Sequence, residues 1–276
     1  MKAKSFVCGL FIVLLFGHSV SSAAPTKNET EGCPNYLGLR VGYGFSLVGE
    51  KELFNGRSSR YDQYGNQRIA FDLRGCINLM SSHGDGLCLA LPFNLDISFR
   101  YNDKRGIKRR HSEILLDTGP QVGMNLGGIT PFVNAGPTLS LSYLKYEKED
   151  YLSWLYGVNM AAGGRLNLET IFAQLKLQYR FLWGTERPLD EATKEYLKDV
   201  SERRQTLGVV GNVGFQPGGP FYLEAGVKFE KSKDRFKHNW KTDRGWWYGE
   251  KRSEWTKWSK WSTGELRIFL GAGIMI

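Results

Sequence analysis

Fourteen charged residues stand at alternate positions of short apolar segments, and they are the first candidates for chemistry. The basic members are Arg40, Arg68, Arg74, Arg100, Arg165, Lys176, Arg180, Lys228 and Arg267, and the acidic members are Asp72, Asp96, Asp117, Glu224 and Glu265. Charges on one enclosed face must pair and form hydrogen bonds, because desolvation is otherwise costly. The set therefore predicts a salt-bridged interior. Its excess of four positive charges leaves a narrow anion-preferring pore as the alternative.

A second set of candidates lies in the segment 231–261, which holds ten basic and four acidic residues and six of the eight tryptophans. Indole rings attract cations and stack on flat or sugar ligands. The segment predicts contact with an acidic glycan or lipopolysaccharide, or an aromatic band at the membrane surface. Its candidate contact residues are Trp240, Arg244, Trp246, Trp247, Lys251, Arg252, Trp255, Lys257, Trp258, Lys260 and Trp261.

Catalysis has few candidates, because the chain after the signal sequence holds only His83, His111 and His238. His111 is close in sequence to Asp103, and His238 is close to Asp234, but each is expected in a polar loop. Two separated loop histidines do not make a metal site. We therefore expect no catalytic residues, no metal and no cofactor.

Ten segments with a period of two must position these residues. Alternation of apolar and polar residues predicts strands, in which successive side chains point to opposite faces. The predicted strands are 36–48, 67–79, 87–101, 113–126, 132–146, 153–168, 171–183, 205–215, 221–230 and 262–276. The last one sets Leu266, Ile268 and Leu270 against Glu265 and Arg267.

The connections between these strands alternate between short and long. Short ones with Gly, Pro, Asn or Asp are expected at one end, and long polar loops at the other, which is typical of outer-membrane barrels. The main long loops are predicted at about 49–66, 102–112, 184–204 and 231–261, with a short surface helix at Asp190–Arg203. The last two strands are expected to continue outward as one hairpin that turns at Tyr248-Gly249.

Alternation alone does not say which face points outward, and a soluble barrel would place the apolar residues inside. Glycine favours the membrane arrangement, because it is concentrated on the polar face, as at Gly38, Gly42 and Gly271. A crowded interior needs small residues between large charged ones. The prediction is a closed antiparallel barrel with apolar residues facing lipid.

The chain begins with an export signal. Lys2 and Lys4 precede an apolar run, and Ser21-Ser22-Ala23 supplies small residues for cleavage after Ala23. The apolar run is shorter than the ~20 residues of a membrane helix. Residues 1–23 are predicted as the signal peptide of the Sec pathway, 24–35 as a short periplasmic segment and 36–276 as the barrel.

Three cysteines remain after cleavage, and all are predicted at the periplasmic end. An oxidising compartment favours one disulfide and one free thiol. Cys76–Cys88 is the first candidate pair, because these residues lie on either side of the first short turn. Cys33–Cys76 is the rival pair.

Two strand sequences carry a resemblance to a known family. Pro131-Phe-Val-Asn-Ala-Gly-Pro-Thr-Leu139 and the run from Tyr156 to Arg165 resemble strands of small outer-membrane β-barrel proteins of Gram-negative bacteria. The resemblance implies insertion by the barrel-assembly machinery. The repeat Trp255-Thr-Lys-Trp258-Ser-Lys-Trp261 resembles the tryptophan ladder of thrombospondin repeats, without their disulfides. Omptin proteases also have ten strands, but their acidic pairs and Asp–His pair have no evident counterpart here.

The sequence as a whole predicts an outer-membrane barrel of about ten strands, structural or surface-interacting, that is not an enzyme. A narrow channel is the alternative, and a hydrolase acting at the outer rim is the third choice. Expected partners are outer-membrane lipid and lipopolysaccharide, and an acidic glycan. No nucleic-acid partner is expected, and the protein is expected to be monomeric.

Overall fold

A computed structural model describes residues 34–54, 57–81, 86–104, 107–146, 149–168, 170–189, 197–240 and 257–276. The predicted signal peptide, and all but the last two residues of the predicted periplasmic segment, lie outside these ranges. The described residues contain no helix long and apolar enough to cross a membrane.

The described chain is made of eleven antiparallel strands. They are β1 (Tyr36–Phe54), β2 (Arg57–Ser81), β3 (Gly86–Lys104), β4 (Ile107–Thr118), β5 (Gln121–Asn125), β6 (Ile129–Tyr146), β7 (Glu149–Leu168), β8 (Ile171–Pro188), β9 (Leu197–Phe215), β10 (Phe221–Trp240) and β11 (Lys257–Met275). Each of the ten predicted strands corresponds to one position in the wall of this sheet.

The sheet closes on itself. Neighbours in sequence pair with each other, except that β4 and β5 each pair with β3 and β6, and β1 pairs with both β2 and β11. The closing ladder is continuous from the pair Tyr36–Met275 to the pair Phe54–Lys257. No edge strand is left unpaired in this order, which is what a lipid environment requires of a sheet.

One wall position is divided between two strands. β4 and β5 both pair with β3 and with β6, so together they occupy one strand position in the wall. Gly119, with φ of 143°, and Pro120 separate them. Proline lacks an amide donor, so it interrupts the ladder. Asn134 partly replaces the lost bonds by donating from Nδ2 to the carbonyl oxygens of Gly119 at 2.7 Å and Pro120 at 3.1 Å.

The two faces of the wall differ as the alternation predicts. On β11, Leu270 is 67% exposed and Arg267 is fully buried. The same inside-out order holds around the sheet, with large apolar residues outside and charged residues inside. The fold is therefore a closed antiparallel barrel of membrane type, with ten wall positions, and the soluble arrangement is wrong.

The strands are longer than predicted at the end opposite the short turns. β1 ends at Phe54 and β2 begins at Arg57, so most of the predicted loop 49–66 is strand. The predicted loop 102–112 is likewise strand except at residues 105–106. A strand of 19 residues, tilted by ~40°, reaches roughly 45–50 Å, about twice the ~25 Å of the apolar band. The barrel wall therefore continues above the membrane.

The last two predicted outer loops are shortened in the same way. β8 runs to Pro188 and β9 begins at Leu197, so the predicted helix Asp190–Arg203 is wrong over its second half. Residues 190–196 lie outside the described chain. β10 and β11 pair as far as His238 and Lys257, which is the outward continuation expected of this hairpin. Its predicted turn at Tyr248-Gly249 lies outside the described residues.

Candidate functional site

The interior of the barrel is filled with charged side chains. All fourteen predicted residues lie on the inner side of the wall. Eleven are buried, whereas Arg100, Arg165 and Lys176 are partly buried. Within the described ranges, twelve of the fourteen form ion pairs, and Arg165 and Lys176 do not. The pairs fall into three layers along the barrel axis.

The periplasmic layer is built around one carboxylate. Glu224 on β10 accepts hydrogen bonds from Arg40 Nε at 2.9 Å and Arg40 Nη2 at 2.8 Å, and from Arg74 Nη2. Asn212 Nδ2 donates a further bond of 3.1 Å. The Arg40 guanidinium lies over the ring of Phe269, 4.1 Å from its centroid. Two guanidiniums thus share a single buried acid.

Below this carboxylate lies a group of aromatic rings. Tyr222 packs edge-on against Tyr36, with centroids 6.4 Å apart, and against Phe172, with centroids 5.6 Å apart. Edge-to-face contacts at such distances are the favoured arrangement of aromatic pairs. The rings narrow the periplasmic end of the lumen.

The middle layer is centred on Arg267 of β11, whose side chain is fully buried. Its Nη1 lies 2.8 Å from Asp96 Oδ2 and 3.3 Å from Asp72 Oδ1, and its Nη2 lies 3.1 Å from Glu265 Oε1. Asp72 and Asp96 face each other across the β2–β3 ladder. Lys228 Nζ, 3.4 Å from Asp96, also offsets their repulsion.

A second bridge in the middle layer crosses the lumen. Arg180 on β8 contacts Asp117 on β4 through Nη2 at 2.6 Å, and Glu230 on β10 through Nη1 at 2.6 Å. Thr138 Oγ1 donates to Asp117 at 2.6 Å, and Gln178 Nε2 donates to it at 3.1 Å. A buried ion pair is stable only when such additional bonds satisfy its remaining atoms.

The outer layer is centred on Arg204 of β9. Its guanidinium contacts three carboxylates, those of Glu113, of Glu202 at 3.0 Å and of Asp234 at 3.0 Å. Ser153 Oγ donates to Glu202 at 2.6 Å. Arg204 therefore ties β9 to β4 and β10 at the outer end of the lumen.

Carboxylates outnumber basic groups at this rim, above the level where β8 leaves the apolar band at Trp183. Burial, together with the charge of Glu202, raises the pKa of Glu186 to about 8. Burial also raises the pKa of Glu202 and of Asp234, against the opposing effect of Arg204. Glu186 forms no ion pair with the described residues, so the rim contains a carboxyl that keeps its proton near neutral pH.

Five residues of the network were missed, and they reduce the predicted excess of four positive charges to one. These are Glu113, Glu202, Arg204, Glu230 and Asp234. With Glu186, the described interior holds ten basic and ten acidic side chains. The missing signal was available, because Glu230, the last residue of the predicted strand, and Asp234 beyond its end continue the inward parity of Glu224 and Lys228.

The histidines take different places from those predicted. His111 belongs to β4, where it lies opposite Arg100 and Leu144, so it is not a solvated loop residue. His238 belongs to β10, of which only the backbone is described at that point, and His83 is outside the described residues. No group of three His, Cys, Asp or Glu within the described chain is placed to hold a metal ion.

The cysteines form neither of the predicted pairs. Cys76 is a free thiol and is buried, whereas Cys88 is disulfide-bonded. The pairs Cys76–Cys88 and Cys33–Cys76 are therefore both wrong. The partner of Cys88 lies outside the described residues. Parity correctly placed Cys76 and Cys88 on the inner side, but it carried no information on which sulfurs approach each other.

A band of basic residues faces outward on β9 and β10, just above the apolar surface. Its members are Arg203, Lys231, Lys233, Arg235 and Lys237. Arg203 lies directly opposite Arg235 in the ladder. All five side chains are exposed, and none forms an ion pair with another described residue. The acidic residues of the same strand segments, such as Glu202 and Asp234, point inward and are already paired.

The predicted ligand contacts of the segment 231–261 fall mostly outside the described chain. This holds for Arg244, Trp246, Trp247, Lys251, Arg252 and Trp255. Trp240 ends β10, and Lys257, Trp258, Lys260 and Trp261 belong to β11. Only the backbone of these five residues is described.

Comparison with solved structures shows what this barrel resembles. The outer membrane protease OmpT from Escherichia coli matches with a TM-score of 0.52 and 9% identity, over 91% of this chain and 100% of that one. OprG from Pseudomonas aeruginosa matches with a TM-score of 0.40 and 8% identity, over 89% and 98%. Ail from Yersinia pestis matches with 0.32 and 11%, over 88% and 100%. At these identities the likeness is one of fold.

Neither family models nor curated proteins give a match. The likeness of fold nevertheless agrees with the large apolar residues on the outer face of the barrel. The fold is that of an outer-membrane β-barrel, and its outward apolar band fits the lipid core of a membrane.

Proposed function

We propose that this protein is a rigid outer-membrane platform with a closed lumen, which binds the phosphate groups of lipopolysaccharide through its outward basic band. The observation that carries the proposal is the band itself, five exposed basic side chains without acidic partners among the described residues. The salt-bridged interior supplies rigidity, and the strands that rise above the membrane supply the surface.

The position of the band selects the ligand. Lys231 lies two residues beyond Phe229 on the same face of β10, and Phe229 belongs to the lipid-facing surface, where it is 50% exposed. Outward basic residues next to the apolar band lie at the height of lipid headgroups. Anionic headgroups attract such residues by ~1 kcal/mol each near the surface. The outer end of the barrel faces the leaflet that carries lipopolysaccharide.

The experiment is a binding titration of the purified barrel with lipopolysaccharide. The test variant R203E/R235E reverses two charges that face each other in the β9–β10 ladder. We expect it to weaken binding by at least about tenfold, because two attractive charges become repulsive. Dephosphorylated lipopolysaccharide should bind the wild type as weakly as the variant binds the intact glycolipid.

The chain offers a matched control on another part of the wall. Arg110 and Lys145 also face each other, in the β4–β6 ladder, and Lys145 is already 3.4 Å from Asp150. R110E/K145E makes the same change in net charge outside the band. It should bind within about threefold of the wild type. Equal losses in both double variants would contradict a specific role of the band.

A rim hydrolase is the second candidate, favoured by the protonated carboxyl of Glu186 beside Glu202. A carboxyl that keeps its proton near neutral pH can act as a general acid, and an ionised neighbour can act as the base. Labelled casein and labelled phospholipid vesicles are suitable probes. Turnover that is lost in E186Q and in E202Q, but kept in R203E/R235E, would favour this candidate over the platform.

A further inference from the structure

The inner residue Arg165 on β7 has no acidic partner in the described chain. Its Nε donates to Asn167 Oδ1 at 2.7 Å, and its guanidinium lies over the ring of Phe172 at 4.6 Å. Both contacts are with uncharged groups. A partly buried guanidinium without a counter-charge carries a desolvation cost that nothing in the described chain offsets.

The surroundings add positive charge and not negative charge. Arg74 lies over the ring of Tyr36, 5.1 Å from its centroid, at the same end of the lumen. Arg40 and Arg74 already share the one carboxylate of this layer, that of Glu224. This end of the lumen thus holds three guanidinium groups and a single carboxylate among the described side chains.

A small cavity opens beside Arg165. Its volume is about 30 Å³, and Tyr36, Cys76, Gln121, Thr130, Arg165 and Gln174 belong to its lining. A volume of about 10–15 Å³ is enough for one water molecule, so the cavity takes one or two particles of that size.

Thr130, which belongs to the lining of the cavity, carries an unused hydrogen-bonding group. Thr130 is only 4% exposed, and its Oγ1 has no hydrogen-bond partner. A buried hydroxyl without a partner loses the free energy of its bonds to water. Thr130 and Arg165 are directly paired in the β6–β7 ladder, and Gln174 is paired with Arg165 from β8. The three side chains therefore converge on the cavity from neighbouring strands.

We propose that this cavity binds one monatomic anion of the chloride class, held by the Arg165 guanidinium and by the hydroxyl of Thr130. The anion supplies the missing counter-charge and accepts the unused hydroxyl proton. The amide group of Gln174 is placed to donate a further bond. The site is distinct from the basic band, which faces outward at the other end of the barrel.

The test is the thermal unfolding midpoint of the purified barrel in sodium chloride, bromide, sulfate and gluconate at equal ionic strength. A ligand that binds the folded state raises the midpoint in proportion to the logarithm of its concentration above Kd. Chloride and bromide should raise it relative to gluconate. Sulfate stabilises folded proteins by exclusion from their surface, so its effect should be the same in the wild type and in a variant that lacks the site. Equal midpoints in chloride, bromide and gluconate would overturn the proposal.

Arg165→Gln separates anion binding from a purely structural role. The proposal predicts that this variant loses the halide effect and is more stable than the wild type in gluconate, where the guanidinium has no counter-charge. Loss of stability in gluconate, with the halide effect kept, would overturn the proposal. Arg187→Gln, an exposed residue of β8, is the control and should keep the halide effect.

Thr130→Val provides a second variant that keeps the charge and nearly the volume of the site. Loss of one hydrogen bond to a charged group should raise the half-effective bromide concentration about tenfold. An unchanged bromide dependence would exclude the hydroxyl and overturn the assigned geometry.

Discussion

Arg180 on β8 and Asp117 on β4 meet across the interior of the barrel, with Nη2 of the arginine 2.6 Å from Oδ2 of the aspartate. Two wall positions, those of β6 and β7, separate the strands that carry them. The pair therefore spans the lumen and does not merely reinforce a ladder. Arg267 with Asp96 does the same in the middle layer, and Arg204 with Glu113 does so in the outer layer.

Removal of one partner of this bridge should destabilise the barrel strongly. R180M leaves Asp117 as an uncompensated buried charge, which typically costs about 3–5 kcal/mol. The double variant R180M/D117N should recover most of the loss, because Asp117 then carries no charge and Glu230 keeps its ion pair with Lys228 at 3.1 Å. Urea unfolding in lipid vesicles measures both. Exposed Arg187→Met is the control, and a loss there as large as in R180M would contradict the bridge.

The rim carboxyl should make stability depend on pH. The pKa of Glu186 is raised to about 8 in the folded barrel, from an ordinary value of 4.5. The folded state then binds more protons than the unfolded state between these values, so unfolding releases a proton and stability falls as pH rises. The contribution is fully present below about pH 4.5 and is lost by about pH 8.

E186Q tests this slope directly. The variant should have a flatter pH dependence of its unfolding free energy between pH 5 and pH 8, by about one proton per molecule. It should also be more stable than the wild type above pH 8. Parallel curves for the two proteins at all pH values would show that this carboxyl titrates normally.

A glycine beside Arg267 should be intolerant of side chains. A Cβ at Gly42 would lie 2.6 Å from Cδ of Arg267, whereas one at lipid-facing Gly164 would meet nothing within 4 Å. Gly42→Val should therefore destabilise by about 1–3 kcal/mol through overpacking. Gly164→Val is the matched control and should be close to neutral. Equal effects would argue that the interior around Arg267 is loosely packed.

The free thiol should be hidden in the folded protein. Cys76 is buried and unpaired, and Cys88 is in a disulfide. We expect no maleimide labelling of the folded barrel and one added label after denaturation without reductant. C76S should then take none. Labelling of denatured C76S without reductant would show that Cys88 is not bridged.

The alternation of apolar and polar residues predicted the strands of the membrane-spanning part correctly. It gave the inward side of Arg267 and the outward side of Leu270 correctly, because lipid and lumen impose opposite demands on successive residues. The alternation ends where the strands leave the lipid. Above the membrane both faces of β2 are polar, so residues 57–66 showed no period of two. Residues 197–203 of β9 were assigned to a helix, although the hydrogen-bonded ladder continues through both segments.

The ion pairs across the lumen could not be predicted from the alternation. Parity places Arg180 and Asp117 inside, but their meeting depends on the register of all the ladders between β4 and β8. The break between β4 and β5 had a local signal in Gly119-Pro120, since a proline inside a strand interrupts pairing. No local signal in the sequence indicated the pairing of the cysteines.

Conductance of the purified barrel in planar bilayers tests the closed lumen most directly. The account predicts a silent wild-type protein, because paired side chains cross the lumen in three layers. The triple variant R180S/R204S/R267S shortens one bridging side chain in each of three bridges and should conduct. Its conductance is the positive control, because it shows that the assay detects inserted barrels. Stable, anion-selective steps from the wild type would contradict the closed lumen and make the inner arginines the filter of a pore.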